Sequence, residues 1–129
     1  MMLGEFIRAA AAMRFSWECF GCAALPAQWV ERVTGKDPFA GMPECRTEAE
    51  VNEAVASSGG MLALWDRQLA GIARRTIPQV GAVGLAQLPD GMQMAGIVSD
   101  TRWVFLTEQG IRAMPIQPQR VIATWCIRG

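Results

Sequence analysis

The chain has no histidine, a single lysine (Lys36), no long apolar run and no second close pair of cysteines. Each absence removes a class of function. Imidazole is the usual base for a nucleophilic thiol, so a chain without it cannot assemble the ordinary cysteine–histidine pair. A strong zinc signature needs two close cysteine pairs, or a cysteine pair with a histidine pair, and neither exists here. A membrane helix needs roughly 20 consecutive apolar residues, and a signal peptide needs a longer apolar centre than Ala9-Ala10-Ala11-Ala12. Excess charge is missing too: 12 basic side chains balance 12 acidic ones. Nothing therefore points to nucleic acid or to a membrane anchor. These absences predict a soluble protein made in the cytoplasm, with no cofactor.

What remains is a globular composition. At 129 residues with 51% hydrophobic content the chain reads as one domain, 1–129, able to bury a real core. Apolar spacing predicts a helix over 3–13 with Phe6, Ala9, Ala10 and Met13 on one stripe. An irregular connection carries Phe15, Trp17 and Phe20. A second helix is expected over 22–33 with Leu25, Trp29, Val30 and Val33 facing inward. Its proper start lies nearer Ala24 if Pro26 is to fit, and Gly35 and Pro38 close it. Thr47 and Glu50 form a capping box for a third helix, and Leu62, Trp65, Leu69 and Ile72 mark a fourth over 61–73.

After Pro78 the pattern changes to short extended segments. Val80, Val83 and Leu85 open the first, and Pro89-Asp90-Gly91 is a turn. Strands over 92–98 and 102–106 pair around Ser99-Asp100-Thr101, then Gln109-Gly110 turns into 111–116, and 120–127 is the last strand. Helices (about 1–77) followed by a small antiparallel sheet (about 78–129) make an α+β fold. The helix bearing Cys22 is expected to pack on that sheet, with Trp29, Val30 and Val33 against Ile97, Val98 and Val104.

Four cysteines are present: Cys19, Cys22, Cys45 and Cys126. Cys45 and Cys126 read as buried packing thiols. A Cys-ligated metal or iron–sulfur centre would need the fold to gather all four.

The series Phe15-x-Trp17, Cys22, Trp29-Val30 and Thr34-Gly35-x-Asp37-Pro38 resembles a small, mostly phage- and prophage-encoded family with the pattern F-x-W-G-x-x-D-C, a helix, then T-G-x-D-P. Gly59-Gly60, Val80-Gly81-Ala82-Val83, Ala95-Gly96-Ile97-Val98 and the segment from Gly110-Ile111 through Pro115 to Trp125 extend the match over nearly the whole chain. That family is similar to the NlpC-type papain-like cysteine peptidases of bacterial cell walls, domains often found in phage tail tips. The resemblance implies a papain-like, NlpC-like fold with Cys22 at the nucleophile position. Gly21 stands where an aspartate normally precedes the nucleophile, Glu18 where a glycine follows the tryptophan, and Ala82 where the aspartate of G-D falls. The histidine position lies at Met94 or Ala95. Glu18, Asp100 and Glu108 are the carboxylates near these segments, none at family spacing. A missing general base removes about 10²–10⁴-fold of rate.

The reading that follows is a catalytically degenerate body serving as a structural or adaptor subunit of a phage tail tip or baseplate. It implies hub, distal-tail or fibre-base proteins as partners, a virion location and transient cell-wall contact. Five Trp and eight Met suit such interfaces. The alternatives are an active cell-wall cysteine hydrolase using Cys22 with an unusual base, and the four-cysteine metal domain.

Overall fold

The computed structural model describes residues 2–127. Helix α1 spans Leu3–Ala10, α2 Ala24–Thr34, α3 Glu48–Ser57 and α4 Met61–Gln68. The strands are β1 Arg74–Arg75, β2 Val83–Gln87, β3 Gln93–Ser99, β4 Arg102–Thr107, β5 Gly110–Met114 and β6 Val121–Trp125. They form a six-stranded sheet in the order β1-β6-β2-β3-β4-β5, with every neighbouring pair antiparallel. The α+β class expected from the sequence is present.

Local chemistry explains most element ends. Two short 3-10 turns, Trp17–Cys19 and Gly21–Ala23, precede α2. The α-helix proper starts at Ala24, which leaves Pro26 in the first turn, where its missing N–H has no intrahelical partner to lose. Gly35 at φ 81° ends α2 in the left-handed conformation, its N–H donating to the Glu31 carbonyl at 2.8 Å. At α3 the Thr47 hydroxyl accepts the Glu50 N–H at 3.2 Å. The Glu50 carboxylate reaches back to the Arg46 N–H at 3.2 Å, one residue beyond the usual capping-box donor.

Several expectations need correction. Helix α1 ends at Ala10 rather than Met13, and Ala9 is exposed instead of lying on the buried stripe. The fourth helix stops at Gln68 rather than Ala73, because Gly71 takes φ 94° and the chain leaves to form edge strand β1. That two-residue strand pairs with β6 and carries no hydrophobic alternation to announce it. Val80 is 65% exposed and precedes the first long strand instead of opening it.

The core divides by sheet face. On one side α1 and α2 place Phe6, Leu25 and Trp29 against Ile97, Val104 and Leu106. On the same side α2 and α4 place Val30 and Trp65, and Leu69 just past the end of α4 joins them, against Val83, Leu85 and Trp125. Val98 is not part of this helix-facing layer. It follows Ile97 in the strand, so its side chain points to the opposite face, where it packs with Ala82, Ala86, Trp103 and Phe105. Val33 sits at the edge of the helix layer and is half-buried, whereas Val30 is 3% exposed.

Two side-chain ties cross between the helices and the sheet region. Trp29 Nε1 donates to the Gly81 carbonyl at 2.8 Å. Asp66 accepts from Trp125 Nε1 at 3.1 Å and pairs with Arg74 Nε at 3.1 Å. This is the one ion pair among the described residues.

Candidate functional site

The segment before Cys22 is shaped by an aromatic clamp. Phe15 and Trp17 meet edge-on, with ring centroids 4.7 Å apart. Phe20 and Gly21 both adopt positive φ, 64° and 60°, turning the chain sharply into α2. A side chain at Gly21 has no space: an added Cβ would lie 2.9 Å from Phe15 Cζ and from Trp17 Cζ3. The Gly21 N–H donates to the Ser16 carbonyl at 2.9 Å and the Phe20 N–H to the Trp17 carbonyl at 3.1 Å. The backbone here is therefore built for glycine, both in dihedral and in volume.

Cys22 follows in the 3-10 turn and is half-buried at the entry to α2. This turn packs against β3 and β4. Burial pushes the Cys22 thiol above its ordinary value of 9.0, and backbone hydrogen bonds from Ala95 and from Cys22 itself offset the shift only in part. No charged side chain contributes. The group is a neutral thiol at physiological pH, the form that is poorly nucleophilic.

Of the two positions expected for the base, the register separates the roles. Ala95 lies on the helix-facing side with Val83, Leu85 and Ala23, fully buried, with its backbone beside Cys22. Met94 packs on the other face with Ala82, Val98 and Trp103. Ala82, 1% exposed, belongs to that face as well. Asp100 is exposed in the β3–β4 turn at φ 52°, Glu108 is exposed in the β4–β5 turn, and Glu18 is exposed on the first 3-10 turn. None of the three acts on the Cys22 thiol.

The remaining cysteines are scattered. Cys45, 4% exposed, lies in the α2–α3 connection, where its thiol donates to the Pro43 carbonyl at 3.6 Å. Burial, and then the Glu50 charge, hold its pKa up. Cys126 is half-buried on the far face, donating to Gln79 Oε1 at 3.0 Å. The Cys19 side chain lies outside the described residues. Among the described residues no group of three or more His, Cys, Asp and Glu side chains could hold a metal. Cys22, Cys45 and Cys126 are thus not gathered into a centre.

The hollows of the surface lie away from Cys22. One, of about 620 Å³, sits between the 40–45 loop and α3 and α4, with Glu44, Cys45, Glu50, Glu53 and Arg67 on its walls. A second, of about 350 Å³, runs along the outer side of α2. Cys22 lines neither. Sequence reasoning missed both, because each depends on where the 37–45 loop folds back over the helices.

A family model, that of a domain of unknown function, DUF6950, covers residues 1–127. The chain belongs to the DUF6950 family. No curated protein and no solved structure matches it. In this DUF6950 chain no helix among the described residues is long and apolar enough to cross a membrane.

Proposed function

We propose that the DUF6950 chain is a non-catalytic subunit of a phage tail tip or baseplate, built on a papain-like, NlpC-like body whose catalytic positions have been filled with apolar groups. The observation that carries the non-catalytic part is the pairing of Cys22 with Ala95. The thiol stands at the start of a helix that packs on a sheet, as the resemblance implies for a nucleophile. The residue facing it, at one of the two positions where the base is expected, has only a methyl group.

Gly21 supports the same reading. As the backbone stands, with φ 60° at Gly21, an added Cβ would meet Phe15 and Trp17, so no aspartate can take the position before the thiol without the chain moving. A desolvated thiol without a proton acceptor lacks both the thiolate and the relay that acyl transfer requires. The tail-tip assignment rests on the F-x-W, Cys22 and T-G-x-D-P series, and the partners are hub, distal-tail or fibre-base proteins.

Two measurements test this. Purified protein incubated with peptidoglycan is expected to release no muropeptides, and release by the wild type but not by Cys22→Ser would overturn the non-catalytic reading. Co-expression with tail proteins encoded beside it is expected to give a retained complex. Absence from washed virions, together with no retention by any tail protein, would overturn the subunit reading.

A further inference from the structure

The twelve carboxylates and twelve basic side chains are unevenly shared along the chain. Residues 1–68 hold nine carboxylates against six basic groups, and residues 69–129 hold three against six. The segment up to the end of α4 thus carries three excess negative charges, and the rest of the chain, with Arg74 and Arg75 of β1 among its basic groups, three excess positive ones. Between Asp66 and Asp90 there is no acidic residue at all.

Part of each excess lies on a shaped surface: four of the nine carboxylates line one hollow, and on an exposed arm Arg75 stands beside Arg74, which is paired with Asp66 at 3.1 Å. On the acidic side, the hollow of about 350 Å³ along α2 has Glu18, Glu31, Asp37 and Glu44 on its walls, Phe20 and Phe39 among its apolar groups, and no basic lining residue. None of these four carboxylates is in an ion pair with any described residue. The aromatic pair is fixed from behind: Phe20 meets Phe39 edge-on at 5.2 Å, and Phe39 rests on the buried Trp65 at 5.0 Å.

On the basic side, residues 73–80 are exposed without interruption. This arm presents Arg75, Ile77 (74% exposed) and Val80 (65% exposed), two of the four large hydrophobic side chains most open to solvent among the described residues. Its position is set rather than loose. β1 pairs with β6, the Thr124 hydroxyl lies 3.3 Å from the Arg75 carbonyl and 3.4 Å from that of Ile77, and Gln79 accepts from the Cys126 thiol. The arm and the hollow share no lining residue.

We propose that the arm of one copy docks in the acidic hollow of the next, giving a head-to-tail assembly of identical chains. Charge complementarity decides the occupant: a basic, apolar projection and an acidic, aromatic-floored recess occur on the same molecule, which is neutral overall. Ile77 and Val80 bring apolar surface to Phe20 and Phe39 while Arg75 meets the carboxylate rim. Two different patches in contact make a heterologous interface. Such an interface generates a ring if the rotation closes and a filament if it does not. The inference rests on the subunit reading only for its biological setting.

The test is sedimentation velocity and light scattering on the purified full chain over a concentration series, at about 50 mM and about 500 mM salt. Concentration-dependent oligomers at low salt, weakened at least about tenfold at high salt, are expected because rim charges are screened. Arg75→Glu and Glu44→Arg, both at exposed positions, should each be monomeric while keeping the wild-type circular dichroism and melting profile. Mixing the two variants should restore a one-to-one pair, since the unaltered arm of Glu44→Arg then meets the unaltered acidic hollow of Arg75→Glu. A wild type that stays monomeric at low salt and high concentration overturns the proposal. So does an Arg75→Glu variant that assembles normally, or a pair of variants that fails to associate on mixing. A monomer that is still retained by a tail protein sinks this inference while leaving the subunit reading intact.

Discussion

The two faces of the sheet solve the same burial problem with opposite side chains. The helix-covered face carries bulk: Val83, Leu85, Ile97, Val104, Leu106 and Trp125, each met by residues from α1, α2 or α4. The other face is thinner on its central strands: Ala82, Gly84 and Ala86 on or beside β2, and Gly96 between Met94 and Val98 on β3. The roof there comes from the sheet itself. Trp103 and Phe105 of β4 lie stacked at 6.2 Å over the glycine positions and become 3% and 0% exposed. Helix-covered strands can use large residues because the helix adjusts its distance. A strand roofed by a ring from its own sheet needs a missing Cβ. Glycine in a sheet interior is ordinarily a weakness, and here it is the packing partner of an aromatic ring.

The sharpest way to break this comparison is to charge the helix-covered face. Val30→Asp buries an unpaired carboxylate and should cost more than about 4 kcal/mol, enough to leave the chain unfolded in a thermal scan. Val33→Asp, at the half-buried edge, should be milder by at least about 2 kcal/mol, since its carboxylate can reach water. Equal effects would mean that the helix face is drawn wrongly.

The opposite face should respond to added volume rather than to charge. A Cβ on Gly84 would come within 2.6 Å of Trp103 Cη2, and one on Gly96 within 2.7 Å of Phe105 Cδ1. Gly84→Ala should cost about 1–3 kcal/mol by overpacking. Combining it with Trp103→Leu should give less than the sum of the two single losses, because the clash disappears with the ring. Strict additivity in denaturant melts would show that Trp103 does not roof Gly84.

Smaller effects come from sites belonging to neither face. Thr47→Ala removes the α3 cap and should cost about 1 kcal/mol in the same melts. For Cys22 the folded pKa is raised above the unfolded value, so its contribution to stability is fully present below about 9.0 and is lost as pH rises through the folded pKa. Stability should fall with pH in that alkaline window, and Cys22→Ala should shallow the slope. At pH 8 the thiol should also react with iodoacetamide more slowly than a free cysteine. Fast alkylation would overturn the assignment of a neutral, desolvated thiol.

How much of this could be read in advance depends on the distance over which the cause acts. Gly35 as a helix stop, Thr47 as a cap, the Asp90-Gly91 turn and the start of α2 near Ala24 all follow from interactions within about a turn of chain, so the residues themselves announce them. Ile97 and Val104 as partners of Trp29 were legible from strand alternation. Val98 was misplaced by neglecting that same alternation. The end of α4 at Gln68 was missed because the apolar spacing continues through Leu69 and Ile72, which stay in the core after the helix has ended.

The amino-acid sequence alone determined the α+β order of elements and the absence of any imidazole at the thiol. Only the tertiary structure decided which residue faces Cys22. Met94 and Ala95 are adjacent in the chain, and the pleat sends them to opposite sides of the sheet. It also decided that Gly84 and Gly96 are demanded by rings from another strand. In each case the cause is a contact between segments that meet only after folding, so no local pattern could carry it.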